Sequence, residues 1–340
     1  MTHSDQPNSD QQWERRIGRR VTLRDLHILL EVSQRGSMAK AASRLAVSQP
    51  AVSKAIADLE RAVGARLLDR GPGGIEPTAF GRVLVKRALA VFDELRQGIN
   101  ELEFLADPTT GEVRIGCPES MAAGLVPAVV ERFTRDYPRM VLRIAQAQTV
   151  TLEFSELRER KVDLMIGRIA RPFNEEELSA EILYDEPLHV VAGAQSCWAK
   201  RRKLSLAELA DARWILTPPT EVLSSPVAAT FHSHGLEPPR ANVLSFSFHL
   251  RNHLLTHSDF VSLIPASMLR LFNARQAVLK ALPVDAVFEP LPVAIITRKN
   301  RTLSPEAQLF IACARDIAGT IAKTPEFRQA TLRRRVRSPA

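Results

Sequence analysis

The sequence predicts an α/β protein with a small all-α N-terminal domain that carries a winged helix-turn-helix. Three observations lead to this prediction. Two short helices are predicted between Gly36, which precedes the first, and Gly64, which follows the second. A long helix with apolar residues at 4-3 spacing is predicted after residue 78. From residue 111 onward, strand-like and helix-like segments alternate, as in α/β folds. The 340 residues leave room for two or three domains.

Charge is distributed unevenly along the chain. The net charge is +8, and Lys and Arg outnumber Asp and Glu more than twofold between residues 15 and 70. This excess favours a polyanionic partner at the N-terminal end. Basic charge alone would equally suit solubility or attraction to a membrane surface, so the motifs must decide between these possibilities.

Cysteine usage and apolar runs indicate the compartment. Cys117, Cys197 and Cys313 are odd in number and widely spaced, so they predict neither a disulfide framework nor a zinc site. No apolar run approaches the ~20 residues of a membrane span. Residues 1–16 lack the apolar core of a secretory signal. We therefore expect a cytoplasmic protein without a membrane partner.

The helix-turn-helix is predicted over residues 38–57. Ser37 is a suitable N-cap for a first helix that ends near Leu45. After a turn at Ala46-Val47, Ser48 caps a second helix, and Gly64 is a suitable residue to end it. The alanine-rich helices could cross closely, as the two helices of this motif do.

The second helix has one apolar and one polar face. Apolar residues at 4-3-4 spacing are predicted to be buried, namely Val52, Ile56, Leu59 and Val63. The opposite face is polar and basic and begins at Gln49 and Pro50, so this helix could enter a major groove with its N-terminus first. Gln49 and Ser53 could bind base edges, and Lys54 could bind phosphate or guanine. An ordinary helical hairpin with a solvated face would show the same periodicity.

The residues of this stretch resemble the DNA-binding segment of LysR-type transcriptional regulators. The matching run is AASRLAVSQPAVSKAIADLERAVGARLLDR, residues 41–70, and the resemblance continues weakly to about residue 322. It implies a regulator that is not an enzyme, has no cofactor, binds double-stranded DNA as a homodimer or homotetramer, and contacts RNA polymerase. The DNA-binding residues expected from the motif are Ser37, Met38, Ser48, Gln49, Pro50, Ser53, Lys54 and Arg70.

A helix and a wing complete the predicted DNA-binding domain, residues 21–78. Thr22–Arg35 reads as an amphipathic helix whose apolar residues, Leu23, Leu26, Leu30 and Val32, pack behind the helix-turn-helix. Two strands, Arg66–Arg70 and Ile75–Pro77, enclose a glycine-rich turn, and Arg70 could reach a phosphate or the minor groove. Residues 1–20 and the basic residues 326–340 are expected to be disordered tails.

A long helix is predicted from its N-cap, Thr78, to about Leu105, which makes it about 40 Å long. Its apolar residues at 4-3 spacing predict a seam for pairing two helices, formed by Leu84, Ala88, Val91, Leu95, Leu102 and Leu105. Gly98 interrupts this seam. The resemblance implies that residues 79–106 form a dimerisation linker, although a helix packed on its own chain would show a similar pattern.

The remaining region, residues 111–325, contains two sets of alternating strands and helices, which predict parallel sheets. Strands are expected over residues 112–117, 140–146, 163–169, 188–192, 214–216, 243–246, 260–264, 279–282 and 292–297, and helices over residues 121–137, 151–160, 205–209, 222–234, 248–257 and 305–322. The resemblance implies a two-lobed, periplasmic-binding-protein-like effector domain. Residues 111–185 and 284–325 would form one lobe, and residues 186–283 the other. A cleft between two such lobes is the usual place for a small ligand.

The predicted effector site begins where a strand ends at Cys117. Ser120 is expected to cap the following helix, whose free N–H groups attract anions. Strand-to-helix positions on the other lobe complete the predicted effector-binding residues: Pro118, Glu119, Ser120, Thr217, Ser245, Phe246 and Ser247. The helix start favours an anionic effector. The carboxylate of Glu119 opposes one, so a neutral polyol or a cationic group stays open.

Other functions have weaker support. His249, His253 and His257 share one helical face but lack a carboxylate at ligand spacing, so no metal site is predicted. A redox switch at Cys117 would need a resolving partner. The alternatives are a metal- or small-molecule-binding enzyme with an attached DNA-binding domain, for which no catalytic motif is visible, and a ligand-independent repressor.

Overall fold

The computed structural model describes residues 20–71, 73–147, 154–169, 172–218, 225–273 and 277–328. The chain divides into two compact units, residues 1–98 and 99–340, so the predicted linker over residues 79–106 belongs partly to each. The predicted tails lie outside the described residues except for Arg20 and residues 326–328. The latter belong to a helical turn, residues 325–328, in which Phe327 is buried. The predicted C-terminal tail therefore starts too early, because Phe327 packs into the core.

The N-terminal unit contains three short helices, a two-stranded wing and the first part of a long helix. Its elements are α1 (Leu23–Arg35), α2 (Met38–Leu45), α3 (Gln49–Val63), β1 (Leu68–Gly71), β2 (Gly74–Pro77) and α4 (Ala79–Ala106). Strands β1 and β2 are antiparallel, with Leu68 opposite Pro77 and Arg70 opposite Ile75. The turn residue Pro72 lies outside the described residues.

Side-chain caps explain where the three short helices begin. The Thr22 side chain accepts from the Asp25 N–H while the Asp25 carboxylate accepts from the Thr22 N–H, a capping box that starts α1. The Ser37 and Ser48 hydroxyls accept from backbone N–H groups at the starts of α2 and α3. Gly64 ends α3 in a left-handed conformation with φ 76°. Ser37, Ser48 and Gly64 are the caps that the sequence predicts, whereas the Thr22 capping box was not predicted.

The core of this unit lies between α1, α2 and α3. The fully buried residues include Leu29, Val32, Val52 and Leu59. Two predicted core residues, Leu23 and Val63, are instead exposed, because the first turn of α1 and the last turn of α3 extend past this core. The middle of each helix therefore follows its predicted periodicity, and the ends do not.

Helix α4 is anchored to the wing at its start. The Thr78 hydroxyl donates to the Arg66 carbonyl at 2.7 Å and accepts from the Gly81 N–H at 3.0 Å. Ala88 of the predicted seam is buried and Leu84 packs on the N-terminal core. The other apolar seam residues are exposed in the single chain, namely Val91, Leu95, Leu102 and Leu105. Pairing through these residues stays a prediction.

The larger unit contains two five-stranded sheets. Its strands are β3 (Thr110–Cys117), β4 (Arg139–Gln146), β5 (Leu164–Arg168), β6 (Leu178–Glu186), β7 (Leu188–Gly193), β8 (Arg213–Leu216), β9 (Ala241–Leu244), β10 (Phe260–Pro265), β11 (Leu279–Ala281) and β12 (Leu291–Arg298). Its helices are α5 (Glu119–Ala122), α6 (Leu125–Asp136), α7 (Ser155–Arg158), α8 (Pro226–Ser233), α9 (Phe248–His257), α10 (Ala266–Phe272) and α11 (Pro305–Ala322).

Each sheet forms one lobe. The first lobe has the strand order β4-β3-β5-β12-β6, and the second has β11-β7-β10-β8-β9. The chain passes to the second lobe between β6 and β7 and returns between β11 and β12, as the resemblance implies. The prediction of parallel sheets is wrong in part, because β12 is antiparallel to β5 and β6, and β7 is antiparallel to β10 and β11. Residues that return from a distant part of the chain make these antiparallel pairs.

Several predicted elements need correction. The helix predicted over 121–137 is broken into α5 and α6 around Gly124, and the helix predicted over 205–209 is only a short 3-10 turn, Ala207–Leu209. Strand β6 and helix α10 were not predicted. The helices predicted over 151–160 and 222–234 begin in residues outside the described ranges. None of the described helices combines the length and apolarity needed to cross a membrane.

Candidate DNA interface and ligand cleft

The predicted recognition helix α3 presents a polar surface. Gln49, Pro50 and Lys54 are exposed, and Ser53 is partly exposed beside them. The Lys54 side chain forms no ion pair with another described residue, so its charge is available to a phosphate or a base. The face opposite the core therefore has the donors that the sequence predicts.

The other predicted DNA contacts surround this helix. Ser37 and Ser48 cap α2 and α3, which places both hydroxyls at helix starts. Met38 is partly buried and packs against the N-terminal core, so much of its side chain is used structurally. Arg70 is exposed on β1 of the wing and has no ion-pair partner among the described residues.

The first-lobe side of the cleft differs from the prediction at Ser120. Pro118 takes the N-cap position in an extended conformation, and Ser120 lies inside the four-residue helix α5. The helix starts earlier than predicted because Pro118 is already extended and Glu119 can occupy the first helical position. The Ser120 hydroxyl, free of a capping role, accepts a hydrogen bond of 2.8 Å from Arg168 Nη1.

The second-lobe residues meet around a helix start. Ser247 caps α9 by accepting from the Leu250 N–H at 3.3 Å, and the Ser245 hydroxyl accepts from the Ser247 N–H at 3.0 Å. Thr217 follows β8, and its hydroxyl accepts from Arg251 Nη2 at 2.9 Å. Phe246 is exposed between the two serines. The structure thus brings the predicted second-lobe residues into one neighbourhood.

Glu119 connects the two lobes at this place. Its Oε2 accepts from the backbone N–H of Phe248, the first residue of α9, at 3.0 Å. A first-lobe carboxylate therefore occupies the positive end of a second-lobe helix, where a negative charge is stabilised. This hydrogen bond brings Glu119, a predicted residue of the first lobe, to the helix start that carries the predicted residues Ser245 and Ser247 of the second lobe.

Arg251 is a functional candidate that the sequence reasoning missed. It is only 7% exposed, and its Nη2 donates to Thr217 Oγ1 and to the Ser245 carbonyl, each at 2.9 Å. Among the described residues, its Nε has no hydrogen-bond partner and the guanidinium forms no ion pair with a carboxylate. Burial lowers the pKa of Arg251 to about 10, while the charge of Glu119 raises it. The sequence could have identified Arg251 by its position one helical turn after Ser247, which is itself a predicted effector-binding residue.

Arg168, at the end of β5, is a second buried arginine that was missed. Its Nη2 lies 3.2 Å from Oε2 of Glu186, which is fully buried. Glu186 also accepts from the N–H and the hydroxyl of Ser267, at 2.9 and 3.0 Å. Because β6 ends at Glu186 and Ser267 belongs to α10, this network joins Ser120 to the crossing between the lobes. The only sequence feature that could have identified Arg168 is its position as a basic residue at the end of a predicted buried strand.

The structure gives no support to a metal site at the histidines of α9 or to a redox switch at Cys117. His253 and His257 stack with ring centroids 4.5 Å apart, and no set of three His, Cys, Asp or Glu in the described part of the chain is arranged for a metal. Cys117 is buried, and burial raises the pKa of its thiol to about 11, which leaves it protonated at neutral pH. A protonated buried thiol is a poor redox sensor.

Comparison with known proteins agrees with both parts of the chain. Residues 23–82 match the bacterial regulatory helix-turn-helix protein, lysR family, and residues 106–319 match the LysR substrate binding domain. The chain is 30% identical over 306 residues to the HTH-type transcriptional regulator GbpR of Azospirillum brasilense, which covers 88% of each protein.

Two solved structures share the fold. The structure of a full-length OxyR variant from Pseudomonas aeruginosa matches with a TM-score of 0.63 and 22% identity, covering 91% of this chain and 97% of that one. Full-length CbnR, complexed with its target DNA, matches with a TM-score of 0.62 and 20% identity, covering 87% and 100%. With its helix-turn-helix followed by a two-lobed substrate-binding domain, the chain belongs to the LysR family of DNA-binding transcriptional regulators.

Proposed function

We propose that this regulator responds to a small effector that carries a carboxylate, and that Arg251 is the main anchor of that group. The observation that carries the proposal is the buried Arg251 guanidinium without an ion-pair partner among the described residues. A buried charge without a counter-ion costs several kcal/mol, and a bound carboxylate would recover part of this energy. Hydrogen bonds from a guanidinium to a carboxylate are also stronger than those to a neutral acceptor.

Hydroxyl groups on both lobes support this position for the effector. Ser120 approaches from the first lobe, and Thr217 is bonded to Arg251 on the second. An effector that contacts both walls would favour a closed arrangement of the lobes. Binding would thereby shift the population between arrangements of the regulator that differ in DNA affinity.

At the DNA end, we propose that Gln49 and Ser53 contact bases and that Lys54 and Arg70 contact phosphates. The exposure of these side chains and the helix-turn-helix geometry support this assignment. The exposed apolar residues Val91 and Leu95 of α4 support pairing of two chains. Contact with RNA polymerase rests on the family resemblance alone.

Paired ligands test the carboxylate anchor. The Tm of the full-length protein would be measured with aliphatic, aromatic and amino carboxylates, and with the carboxamide of each. We expect at least one carboxylate to raise the Tm while its carboxamide does not, because a ligand that binds only the folded state stabilises it. Arg251→Gln should weaken that ligand roughly tenfold or more, as expected for loss of a charged hydrogen bond.

The control is Arg240→Gln, which alters an exposed arginine on the same lobe and should leave binding unchanged. Carboxylates and carboxamides that act equally, or an Arg251→Gln protein that binds normally, would contradict the proposal. A panel without any active carboxylate would instead favour a ligand-independent regulator.

A further inference from the structure

We infer that the effector is an amino-carboxylate, whose carboxylate binds Arg251 on the second lobe and whose ammonium group binds Glu119 on the first. This inference rests on the proposed role of Arg251 as the carboxylate anchor. It adds the cationic half of the ligand and assigns a recognition function to Glu119.

The start of α9 brings the two side chains into one neighbourhood. Glu119 Oε2 accepts from the N–H of Phe248, the first residue of α9. Arg251 lies one turn further along the same helix, and its Nη2 reaches back to the Ser245 carbonyl just before the helix. Burial lowers the pKa of Arg251 while the charge of Glu119 raises it, yet the two side chains form no ion pair within 4.0 Å. Opposite charges thus remain on the two lobes without a direct ion pair between them.

Two charged side chains near the start of α9 lack an ionic partner in the described part of the chain, and they have opposite signs. Arg168 is paired with the buried Glu186, so the two charges without a direct ionic partner among the described residues are Arg251 and Glu119. A simple carboxylate would be attracted to Arg251 and repelled by Glu119, and a simple amine would meet the reverse. A zwitterion satisfies both walls and adds no net charge, which favours it over either single-charged competitor.

The Glu119 carboxylate has capacity for such a ligand. Its Oε2 is used by the Phe248 N–H, but its Oε1 accepts no hydrogen bond from any described residue, and the side chain is only half-buried. An ionised carboxylate can accept at both oxygens, so Oε1 can receive an ammonium N–H while Oε2 keeps its bond to the helix.

The same contact changes where the ligand's carboxylate can bind. Because Glu119 already accepts from the first N–H of α9, this helix start is not available to the carboxylate of the ligand. The carboxylate is directed instead to Arg251, whose Nε lacks a partner among the described residues. The Ser120 and Thr217 hydroxyls lie on the two walls and can bond the polar groups between the two charged ends.

Chemical dissection of one ligand tests this inference. Full-length protein would be titrated by calorimetry with the proteinogenic L-amino acids, β-alanine and γ-aminobutyrate. The tightest binder would then be compared with its des-amino acid, its N-acetyl derivative and its carboxamide. We expect each analogue to bind roughly tenfold more weakly or worse, because each loses one charged contact.

Glu119→Gln separates recognition from a merely structural contact. Glutamine retains an oxygen that can accept from the Phe248 N–H, but it lacks the charge that binds an ammonium group. This variant should bind the amino acid and its des-amino analogue about equally, with the preference of the wild type lost. Glu131→Gln, which changes an exposed carboxylate on α6 of the same lobe, should keep the wild-type preference.

The outcomes distinguish this inference from the proposed function. If the des-amino acid binds as tightly as its parent while the carboxamide does not, Arg251 keeps its role and the amino-carboxylate inference fails. If no amino acid binds, or if Glu119→Gln keeps the preference for the amino group, the inference is also overturned. If the wild-type protein binds the carboxylate and its carboxamide equally well, the proposed function itself is overturned.

Discussion

Asp163 shows how a single buried charge can be stabilised in this fold. Arg114 Nη2 and Arg301 Nη2 lie 2.5 and 2.8 Å from Asp163 Oδ1. Burial raises the pKa of Asp163, but the hydrogen bonds and charges of the two arginines outweigh burial, and the net pKa lies below its ordinary value. The charged form is therefore favoured by folding. Its contribution to stability is present above the ordinary carboxyl pKa and is lost as pH falls through the lowered value.

We predict that Asp163→Asn lowers the free energy of unfolding at pH 7 by about 3–5 kcal/mol, because it leaves two arginines without their shared counter-ion. The difference from the wild type should shrink as the pH falls from the ordinary carboxyl pKa through the lowered pKa of Asp163, because protonation is then more favourable in the unfolded chain than in the native state. Urea unfolding at pH 7 and at acidic pH measures both effects. Asp211→Asn, at an exposed position, is the control. Equal stability of Asp163→Asn and the wild type at pH 7 would show that the network contributes nothing.

Residue-scale chemistry was only partly accessible to sequence reasoning. Ser37 and Ser48 act on N–H groups three residues away, so their capping roles follow from local pattern. Arg251 and Arg168 gain their interest from burial beside residues far away in the chain, such as Ser120, 48 residues from Arg168. No local pattern encodes these contacts.

At the scale of elements, two glycines of α4 provide a matched comparison. A Cβ on Gly81 would lie 2.0 Å from the Leu67 carbonyl oxygen, whereas a Cβ on Gly98 would meet nothing within 4 Å. Of the two positions, only position 81 therefore requires glycine, because α4 closely approaches Leu67, the residue before β1. In both cases alanine would otherwise be the better helix former.

We predict opposite effects for alanine at these two positions. Gly81→Ala should destabilise the N-terminal unit by several kcal/mol, since the neighbouring atom belongs to the backbone and cannot move away easily. Gly98→Ala should stabilise the helix by about 0.5–1 kcal/mol. Thermal unfolding monitored by circular dichroism measures both. Destabilisation of similar size by the two variants would indicate that the close approach at Gly81 is not the cause.

Elements that are organised locally were predicted, and elements that depend on remote partners were not. Helices α9 and α11 begin and end where their caps and periodicity indicate. Strand β6 was missed because its partner, β12, lies more than a hundred residues away. The break at Gly124 has a similar cause. A Cβ there would lie 2.8 Å from the Ser267 hydroxyl of the second lobe, so the break lets the two lobes meet.

At the scale of the whole molecule, the two units have separable tasks. The N-terminal unit presents a polar helix face for DNA, and the larger unit places opposite charges, Glu119 and Arg251, on its two lobes. The family and the two-lobed fold follow from the resemblance carried by residues 41–70. The chemistry of the cleft required the structure, because it depends on side chains from both lobes.

The central claim is that the exposed face of α3 reads operator DNA. A genome-wide binding map of the wild type and of the double variant Gln49→Ala, Ser53→Ala tests it most directly, with Glu131→Gln as the control. We predict discrete wild-type sites that share a sequence, and a double variant that loses most of their enrichment, because each lost base contact costs about 1–3 kcal/mol. A wild-type map without discrete sites, or a double variant with the same sites at the same enrichment, would contradict the claim.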